Sequence, residues 1–442
     1  MASVANGAKV RCRQEEATAA VIDPATINFF RDRAVQDDPY PYFDALRSLS
    51  PVWREPAYGV YMVTGYDEAI DVYRNHAEFS SCNTVSGPFV KFSVSVEGDD
   101  ISDVIDAHRE ELPFSDQLPS FDPPKHTAHR GLLMRLITPK RLKENEDFMW
   151  RLCDRQLDEF LANGSCEFIG EFAQPFTLLV IADLLGVPES DHPLLREKLA
   201  SVAAGIGSRE AMAHKPLEFL YEQFTGYIED RRRSPRADVM GSIATATFPD
   251  GELPSVHDVA LIAANLFTAG QETTARMLGF ALQVLGERPD VQDRLRADSS
   301  LIPAFIEEVL RLESPLKGQF RMARHTTDLD GVDVHAGDTV MLLPGAANRD
   351  PRMFDAPNEF RLDRPNGRQH LAFGHGIHTC AGAPLARAEG RVAIERILDR
   401  MHGIRLSEEH HGSAGDRRFD YMPTYFMRAL ERLYVEFTPN AR

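Results

Sequence analysis

Apolar residues recur at three- and four-residue steps along one stretch of the chain, from Val259 to Leu285. This spacing predicts a helix with one broad apolar face over about eight turns, whereas helices in globular proteins average about three turns. Ser255-Val-His-Asp258 has the form of a capping box at its start, and Pro289 follows its end. The stretch has no heptad repeat, so a coiled coil is excluded. We expect this helix to cross the centre of one large domain.

Strand patterns lie on both sides of the helical part of the chain. Residues 52–54 and 60–63 are β-branched and aromatic and predict a hairpin. Beyond Asp122 the pattern is helical for roughly 200 residues. Strand patterns follow over 328–343 and 421–438, with a last long helix over 381–402 between them. The fold class is therefore predicted as mainly α (α+β), with residues 1–20 as a loose N-terminal tail and 21–442 as one domain.

The charge balance is acidic: 49 Lys and Arg residues stand against 67 Asp and Glu residues, a formal net charge of −18 over 442 residues. An acidic surface repels nucleic acid and anionic membranes, so neither is expected as a partner. No segment approaches the ~20 consecutive apolar residues of a membrane anchor, and residues 1–16 do not resemble a secretory signal. The five cysteines form no CxxC pair, which is typical of a reduced, cytoplasmic protein.

The segment from Phe79 to Phe121 shows little periodicity, and its part over 97–116 carries eight acidic residues and one arginine. Long ordered loops are uncommon and are usually lids or binding loops. From charge alone, a solvated acidic insertion is an equal alternative. We predict a mobile lid that its charge keeps in water, while Phe114 and Leu118 at its end turn inward. Its role in function stays open.

The segment Phe373-Gly-His-Gly-Ile-His-Thr-Cys380-Ala-Gly382, called the cysteine loop below, carries the strongest chemical signal. Glycines allow tight turns, and a cysteine at a helix start is favoured as thiolate by the helix dipole and free amide groups. The thiolate could be a nucleophile with His378 as base, a zinc ligand with His375 and His378, or an axial ligand of haem iron. A buried structural cysteine is the fourth alternative.

The cysteine loop resembles the haem-thiolate loop of the cytochrome P-450 monooxygenases, with Phe373, Gly376, Cys380 and Gly382 at its pattern positions. The resemblance covers residues 39–437 roughly and implies the family's triangular, mainly helical fold with a long central helix and small β-sheets. Two further marks of the family are the Glu-x-x-Arg motif and a later arginine that joins it. They match Glu308, Arg311 and Arg364. Their implied role is to hold the loop that presents Cys380.

The resemblance implies haem b as cofactor, with Cys380 as the ligand of its iron. The implied haem contacts lie in the loop and in the long helix: Phe373, Gly374, Cys380, Gly382, Ala269 and Gly270. The haem propionates need basic partners, which the family positions assign to His126, Arg130, Arg321 and His378. Lys125 and His129 do not match the family pattern, and His375 occupies a loop position that the family varies, so none of the three receives a role.

Ala269-Gly-Gln-Glu-Thr-Thr274 resembles the family's small-Gly-x-acid-Thr motif over the distal face of the haem. Glu272 and Thr273 are implied as catalytic, with Thr273 presenting a hydroxyl to the distal site and Glu272 connecting it to a proton source. From the residues alone, threonine hydroxyls that bond back to the helix, beside an exposed glutamate, are the plainer interpretation.

The implied activity is a hydroxylation, in which one oxygen atom from O2 enters a C–H bond of a small apolar substrate. The chain carries no nucleotide-binding glycine fingerprint and no flavin or ferredoxin module. Electrons are therefore expected from a separate ferredoxin and its NAD(P)H-dependent ferredoxin reductase. A haem-thiolate peroxygenase using hydrogen peroxide is the alternative, and the Glu272-Thr273 pair counts against it. A non-haem binding protein or zinc enzyme is a further alternative and would be colourless.

Apolar and aromatic candidates for the pocket suit a terpenoid, steroid-like, fatty or aromatic substrate, although core packing is the commoner role of such residues. They are Phe89, Phe92, Phe114, Leu118, Leu266, Ala269, Leu316, Phe320, Tyr425 and Phe426. Five basic residues are candidates for a surface that docks the ferredoxin: Arg135, Lys140, Arg141, Arg387 and Arg391.

Overall fold

The computed structural model describes residues 22–195, 197 and 218–440, and the tail predicted over residues 1–20 lies outside them. The helices are Arg33–Asp37, Tyr40–Leu49, Tyr66–Arg74, Ser102–His108, Lys125–Leu133, Pro139–Phe160, Gln174–Leu185, Glu218–Arg233, Val239–Ala244, Val256–Glu287, Pro289–Ala297, Ile302–Leu312, Pro344–Ala347, Ala383–Arg400 and Glu408–His411. The strands β1 to β10 are Val52–Arg54, Tyr61–Val63, Phe79–Ser80, Ser165–Glu167, Gln319–Ala323, Thr327–Leu329, Val332–Val334, Thr339–Leu342, Met401–Leu406 and Tyr434–Pro439. The fold is mainly helical with small sheets, as predicted.

The helix predicted from its apolar spacing spans Val256–Glu287, a length of 32 residues. It is called the long helix below. The Ser255 hydroxyl accepts a hydrogen bond from the Asp258 amide at 3.0 Å and donates one to the Asp258 carboxylate at 2.7 Å. Pro289 opens the next helix. Both predicted ends are confirmed.

The long helix runs through the main hydrophobic core and contacts helices from distant parts of the chain, among them Gln174–Leu185 and Ala383–Arg400. The contact with Ala383–Arg400 is close at Gly390. A Cβ atom there would lie 2.9 Å from Met277 Cε and 3.0 Å from Ile306 Cδ1. Because protein interiors are close-packed, a larger residue would force these helices apart. The helix that follows Cys380 is thereby fixed against the long helix.

The largest sheet has the strand order β1-β2-β8-β5-β3. β1 and β2 form the predicted hairpin, β8 pairs with β2 in parallel, and β5 pairs with β8 antiparallel. Side chains alternate along a strand, so the neighbours Phe320 and Arg321 in β5 project from opposite faces. Strands β4, β10 and β9 form a second sheet in that order, and β6 and β7 form a separate hairpin.

The prediction of a strand over 421–438 is only partly confirmed, because β10 is confined to Tyr434–Pro439. The preceding residues form a loop, closed by an isolated bridge between Tyr421 and Leu430. Pro423 has no amide hydrogen and cannot extend a ladder of hydrogen bonds. The loop over 421–430 is called the C-terminal loop below.

The acidic segment, residues 97–116, differs from the solvated lid that its charge predicts. Ser102–His108 is a helix, and Ile101, Ile105 and Leu112 are buried together with Phe92 in a small hydrophobic cluster. These apolar residues are spaced among the acidic ones, so the segment has one face in the protein and one in water.

Polar contacts fix the same segment to the body of the protein. The Ile101 amide donates to the Arg324 carbonyl at 2.8 Å. Arg109, the one arginine of the segment, lies 3.0 Å from the buried carboxylate of Asp122, which also accepts from Arg324 at 2.6 Å. The segment is therefore anchored at its helix and at its end.

Candidate functional site

Tight turns give the cysteine loop its shape. The Cys380 amide donates to the Phe373 carbonyl at 2.8 Å, which closes the loop on itself. Gly376 has a φ of 70°, and a Cβ atom there would lie 2.4 Å from the Tyr73 carbonyl oxygen. Both its conformation and its surroundings therefore require glycine. Gly374 has a φ of 65°, and Gly382 begins the helix Ala383–Arg400.

Cys380 is exposed, whereas the other described cysteines, Cys82, Cys153 and Cys166, are buried. Yet burial raises the pKa of the Cys380 thiol, against the opposite effects of the Gly382 and Ala383 amides and of Arg130. An accessible sulfur whose pKa rises through burial lies in an interior space of the protein. Without a bound ligand, Cys380 therefore favours the thiol, and the predicted preference for the thiolate is not found. A bound metal cation would restore it, because the thiolate is the form that binds metal.

The predicted ion network behind the loop is present. Arg311 donates to both carboxylate oxygens of Glu308, each at 2.8 Å, and Arg364 Nε donates to Glu308 Oε1 at 3.0 Å. Both Arg311 and Glu308 are fully buried. Arg311 also donates to the carbonyls of Asn348, Pro357 and Glu359, which satisfies its remaining N–H groups. The network therefore fixes the chain that leads into the cysteine loop.

A second carboxylate on the same helix was not predicted. Glu307 accepts from Arg387 Nε at 2.6 Å and lies 3.0 Å from His370 Nε2. Burial alone would raise the pKa of Glu307, but Arg387 and His370 lower it to about 2. The sequence held a signal for a second buried carboxylate, because two adjacent acidic residues lie in an otherwise mostly apolar helix. Arg387 is thus ion-paired at a half-buried position, and so is Arg391, which lies 2.7 Å from Glu146.

The middle of the long helix has one face that is not covered by neighbouring helices. Ala269 is exposed and Glu272 and Thr273 are half-buried, although the residues before and after this stretch are buried. Their spacing of three and four residues places them on one face. Thr273 Oγ1 donates to the Ala269 carbonyl at 2.9 Å. Gly270 packs elsewhere, since a Cβ atom there would lie 3.5 Å from Ile181 Cδ1.

Glu272 is held by an arginine that the sequence analysis missed. Arg276 Nη2 donates to Glu272 Oε2 at 2.6 Å, and Arg276 Nη1 donates to the Leu430 carbonyl at 3.1 Å. The side chains of Arg276 and Glu272 are 4% and 15% exposed. The signal was available in the sequence, because a separation of four residues is that of a helical ion pair.

The four predicted propionate partners come together beside Cys380, and His126, Arg130, Arg321 and His378 are called the basic cluster below. The ring centroids of His126 and His378 are 4.2 Å apart, and Arg130 Nη2 donates to the Thr379 carbonyl at 2.6 Å. Burial, followed by the charge of Arg321, lowers the pKa of His378 to about 2.

Two hydroxyl groups that the sequence analysis missed orient the cluster. Ser81 Oγ lies 3.0 Å from His378 Nε2, and Thr84 Oγ1 accepts from Arg321 Nη1 at 2.7 Å. Ser and Thr in a segment without periodicity gave no signal for this role.

The basic cluster lacks an acid. Within the described ranges, none of its four side chains forms an ion pair with a carboxylate, and both ring nitrogens of His126 are buried without a hydrogen-bond partner. Burial, together with the charge of Arg130, lowers the pKa of His126 to about 4. Buried basic groups of this kind call for an anionic partner. The two carboxylates of haem b, on a flat ring held at Cys380, fit this donor set.

The zinc and nucleophile alternatives do not fit the geometry. His378 lies against Ser81, and His375 Nε2 accepts from Arg74 Nε at 3.1 Å, so both histidines are engaged away from the sulfur. In the part of the chain that the structure describes, no three His, Cys, Asp or Glu residues are grouped to hold a metal ion.

Most of the pocket candidates have packing roles. Phe114, Leu118 and Leu266 belong to the main core, and Phe92 to the cluster under the acidic segment. Phe89 is 45% exposed and lies 5.3 Å from the ring of Tyr425, which also contacts Phe320 at 6.2 Å. Leu316 and Phe426 are half-buried. Phe320 and Tyr425 are buried in a third cluster, so Ala269, Leu316 and Phe426 are the candidates left to face a ligand.

Comparison with known proteins shows which family the chain belongs to. The family model described as Cytochrome P450 matches residues 209–403. Cytochrome P450 144 of Mycobacterium tuberculosis is 34% identical over 421 residues, which cover 92% of this chain and 90% of that protein. The steroid C26-monooxygenase of Mycolicibacterium smegmatis is 30% identical over 90% of this chain and 92% of its own length.

A solved structure extends the likeness to three dimensions. Mycobacterium marinum cytochrome P450 CYP150A6 in the substrate-free form is 54% identical and superposes with a TM-score of 0.89, covering 95% of this chain and 100% of that one. Among the described residues, no helix is both long and apolar enough to cross a membrane. The cysteine loop, the basic cluster and these relatives together show that the chain belongs to the cytochrome P450 family.

Proposed function

We propose that this haem b-dependent cytochrome P450 monooxygenase hydroxylates a small apolar substrate of steroid-like or terpenoid size, with electrons from a separate ferredoxin and ferredoxin reductase. One oxygen atom of O2 enters a C–H bond and the other leaves as water, which consumes two electrons and two protons. The observation that carries the proposal is the basic cluster without an acid beside Cys380. Haem bound there supplies the activation of O2.

The residues around the sulfur hold the cofactor. Cys380 supplies the thiolate ligand, and the basic cluster neutralises the two propionates. Phe373, Gly374 and Gly382 shape the space at the sulfur, where a Cβ atom on Gly382 would lie 3.8 Å from Cys380 Sγ. The guanidinium of Arg387 lies 4.7 Å from the Phe373 ring centroid, which fixes the ring by a cation–π contact.

Thr273 and Glu272 deliver protons to the distal site. Thr273 Oγ1 donates its own hydrogen to the Ala269 carbonyl, so its lone pairs remain to accept a hydrogen bond from the distal site. Glu272 Oε2 is bound by Arg276. Its Oε1 makes no hydrogen bond to another described residue and can take a proton from water and pass it inward. The same acid–alcohol pair argues for O2 rather than hydrogen peroxide as the oxidant.

The substrate class rests on two supports. Ala269, Leu316 and Phe426 are apolar pocket candidates that are not fully buried, which suits an apolar substrate. One relative is described as a steroid C26-monooxygenase. Titration of the haem absorption band with steroids, terpenoids and fatty acids would test the class, and tight binding confined to fatty acids would overturn it.

The assignment of Cys380 is tested by Cys380→His, with Cys166→Ser as the control that changes a buried cysteine in the strand Ser165–Glu167, outside the site. The histidine variant should keep some haem but lose the thiolate character of the reduced carbon monoxide spectrum. The control should keep that spectrum. Survival of the spectrum in Cys380→His would show that another group binds the iron.

A further inference from the structure

Arg276 is a buried charge that cofactor binding and substrate contact leave unexplained. It lies one helical turn beyond Glu272 on the long helix, and its side chain is 4% exposed. Its Nε is buried without a hydrogen-bond partner, so the guanidinium keeps an unmet donor in the interior. Burying an arginine in this way costs free energy unless a carboxylate is bound. Glu272 is the carboxylate that it binds.

The contacts of Arg276 determine where Glu272 points. A guanidinium is planar and rigid, so fixing one N–H group fixes the direction of the others. Nη1 donates to the Leu430 carbonyl at 3.1 Å, and Nη2 donates to Glu272 Oε2 at 2.6 Å and lies 3.4 Å from Met422 Sδ. Glu272 Oε2 is therefore held toward the C-terminal loop, which leaves Oε1 for the uncovered face of the long helix.

Arg276 also joins two parts of the site. Leu430 and Met422 lie at the base of the C-terminal loop, which the bridge from Tyr421 to Leu430 closes. The tip of that loop carries Tyr425, which packs on Phe89 and Phe320, and the half-buried Phe426. The carboxylate of Glu272 is thereby fixed to the same loop that carries the pocket candidate Phe426.

We propose that Arg276 is the positioning residue of Glu272: it binds Oε2 and the base of the C-terminal loop, and so directs Oε1 toward Thr273. This inference rests on the proposed role of Glu272 in proton delivery. A positioned acid–base group contributes ~10²–10⁴-fold to a rate, and the contribution depends on geometry. Loss of Arg276 should therefore affect proton delivery and leave cofactor and substrate binding in place.

The test compares Arg276→Gln with Arg276→Lys, Glu272→Gln and Arg231→Gln. Arg231 is the matched control, because its side chain is also buried and bound to a carboxylate, but its partner Asp238 lies on another part of the chain. Arg276→Gln should send about tenfold less of the consumed reductant into product and more into hydrogen peroxide. It should raise the solvent deuterium isotope effect on product formation, with the substrate dissociation constant within about twofold of wild type. Arg276→Lys should restore part of the yield, and Arg231→Gln should keep it.

A structural readout accompanies the kinetics. In a crystal structure of Arg276→Gln, the Glu272 carboxylate should leave the position in which Arg276 holds it in the wild-type protein. An unchanged carboxylate position, or a wild-type yield in Arg276→Gln beside an impaired Glu272→Gln, would overturn the inference alone. Wild-type yields in both Glu272→Gln and Arg276→Gln would overturn the proposed role of Glu272 and the inference with it.

Discussion

Two threonines of the long helix make the same local bond but differ in their neighbours. Thr273 Oγ1 donates to the Ala269 carbonyl at 2.9 Å, and Thr268 Oγ1 donates to the Ala264 carbonyl at 3.0 Å. Only Thr273 is adjacent to Glu272, the carboxylate that Arg276 holds. A role in proton delivery and a role in helix geometry can therefore be separated by one comparison.

In Thr273→Ala we expect substrate affinity near that of wild type and a several-fold larger share of reductant diverted to hydrogen peroxide, because the hydroxyl that relays the proton is gone. Thr268→Ala removes an equivalent back-bond and should leave the product yield unchanged. The measurement is product formed per reductant consumed. Equal yields in the two variants would remove Thr273 from the mechanism.

The basic cluster should make the cofactor-free protein sensitive to acid. The pKa of His126 is lowered from 6.5 to about 4, mainly by burial. Between these values the unfolded chain binds more protons than the folded one, so the free energy of unfolding falls as the pH is lowered through this window. Haem propionates would offset the added charge.

Denaturation of the cofactor-free and haem-loaded proteins from pH 7 to pH 4 measures this effect. The cofactor-free form should lose stability more steeply, and His126→Gln should lessen that slope. The same slope in both forms would contradict the assignment of His126 to the propionates.

At the scale of elements, the acidic segment shows how apolar contacts determine the position of a highly charged stretch. The helix Ser102–His108 places Ile105 in the protein interior, and Arg109 lies beside the buried carboxylate of Asp122. Asp122 also accepts from the Ser81 amide at 2.9 Å, and Ser81 Oγ contacts His378. The segment is therefore attached to the residues that orient the basic cluster.

Arg109→Gln should lower the free energy of unfolding by about 1–3 kcal/mol, because it leaves a buried carboxylate short of one partner. Lys140→Ala, which removes an exposed ion pair with Glu144, should change it by less than about 0.5 kcal/mol. Denaturant titration of both variants checks this difference. Equal effects would mean that the segment is solvated, as its charge alone predicts.

The sequence was sufficient for elements and motifs with a strong local pattern. The long helix and the hairpin of β1 and β2 are confirmed because periodicity specifies them locally. The contact of Glu308 with Arg364, 56 residues apart, was predicted from the family resemblance and is also confirmed. The anchoring of the acidic segment could not be predicted, since its apolar residues are few and their partners are distant in sequence. The contacts of Glu307, Ser81 and Arg276 likewise depend on tertiary packing.

At the scale of the whole molecule, a net charge of −18 opposes association with an acidic ferredoxin. Arg387 and Arg391 pair with Glu307 and Glu146 and are about one-third exposed, whereas the Lys140 side chain is 85% exposed beside its partner Glu144, so these two arginines are the weaker docking candidates. Arg135, Lys140 and Arg141 remain, just beyond the helix whose Arg130 contacts the cysteine loop. Because screening acts over ~10 Å at 0.1 M salt, a local positive group can still attract such a partner.

Reversal of Arg135 and Lys140 to glutamate should slow reduction by ferredoxin at low salt, with the defect shrinking as salt rises. Reversal of Arg233 and Arg236, which lie on another part of the chain, makes the same change in net charge and is the matched control. Reduction by dithionite and substrate binding should stay at wild-type levels in both. Equal ferredoxin-driven rates in the two double variants would place the docking surface elsewhere.

Glu307 and Glu308 are consecutive residues of one helix, and between them they bind both ends of the segment over 364–387. The chain in between, with Cys380 near its far end, is thus a loop whose two ends are bound to one helix. Arg130 also holds it, at the Thr379 carbonyl. Because protein contacts order this loop, its conformational entropy is lost on folding rather than on cofactor uptake. The free energy of cofactor binding is therefore not used to order the chain around Cys380.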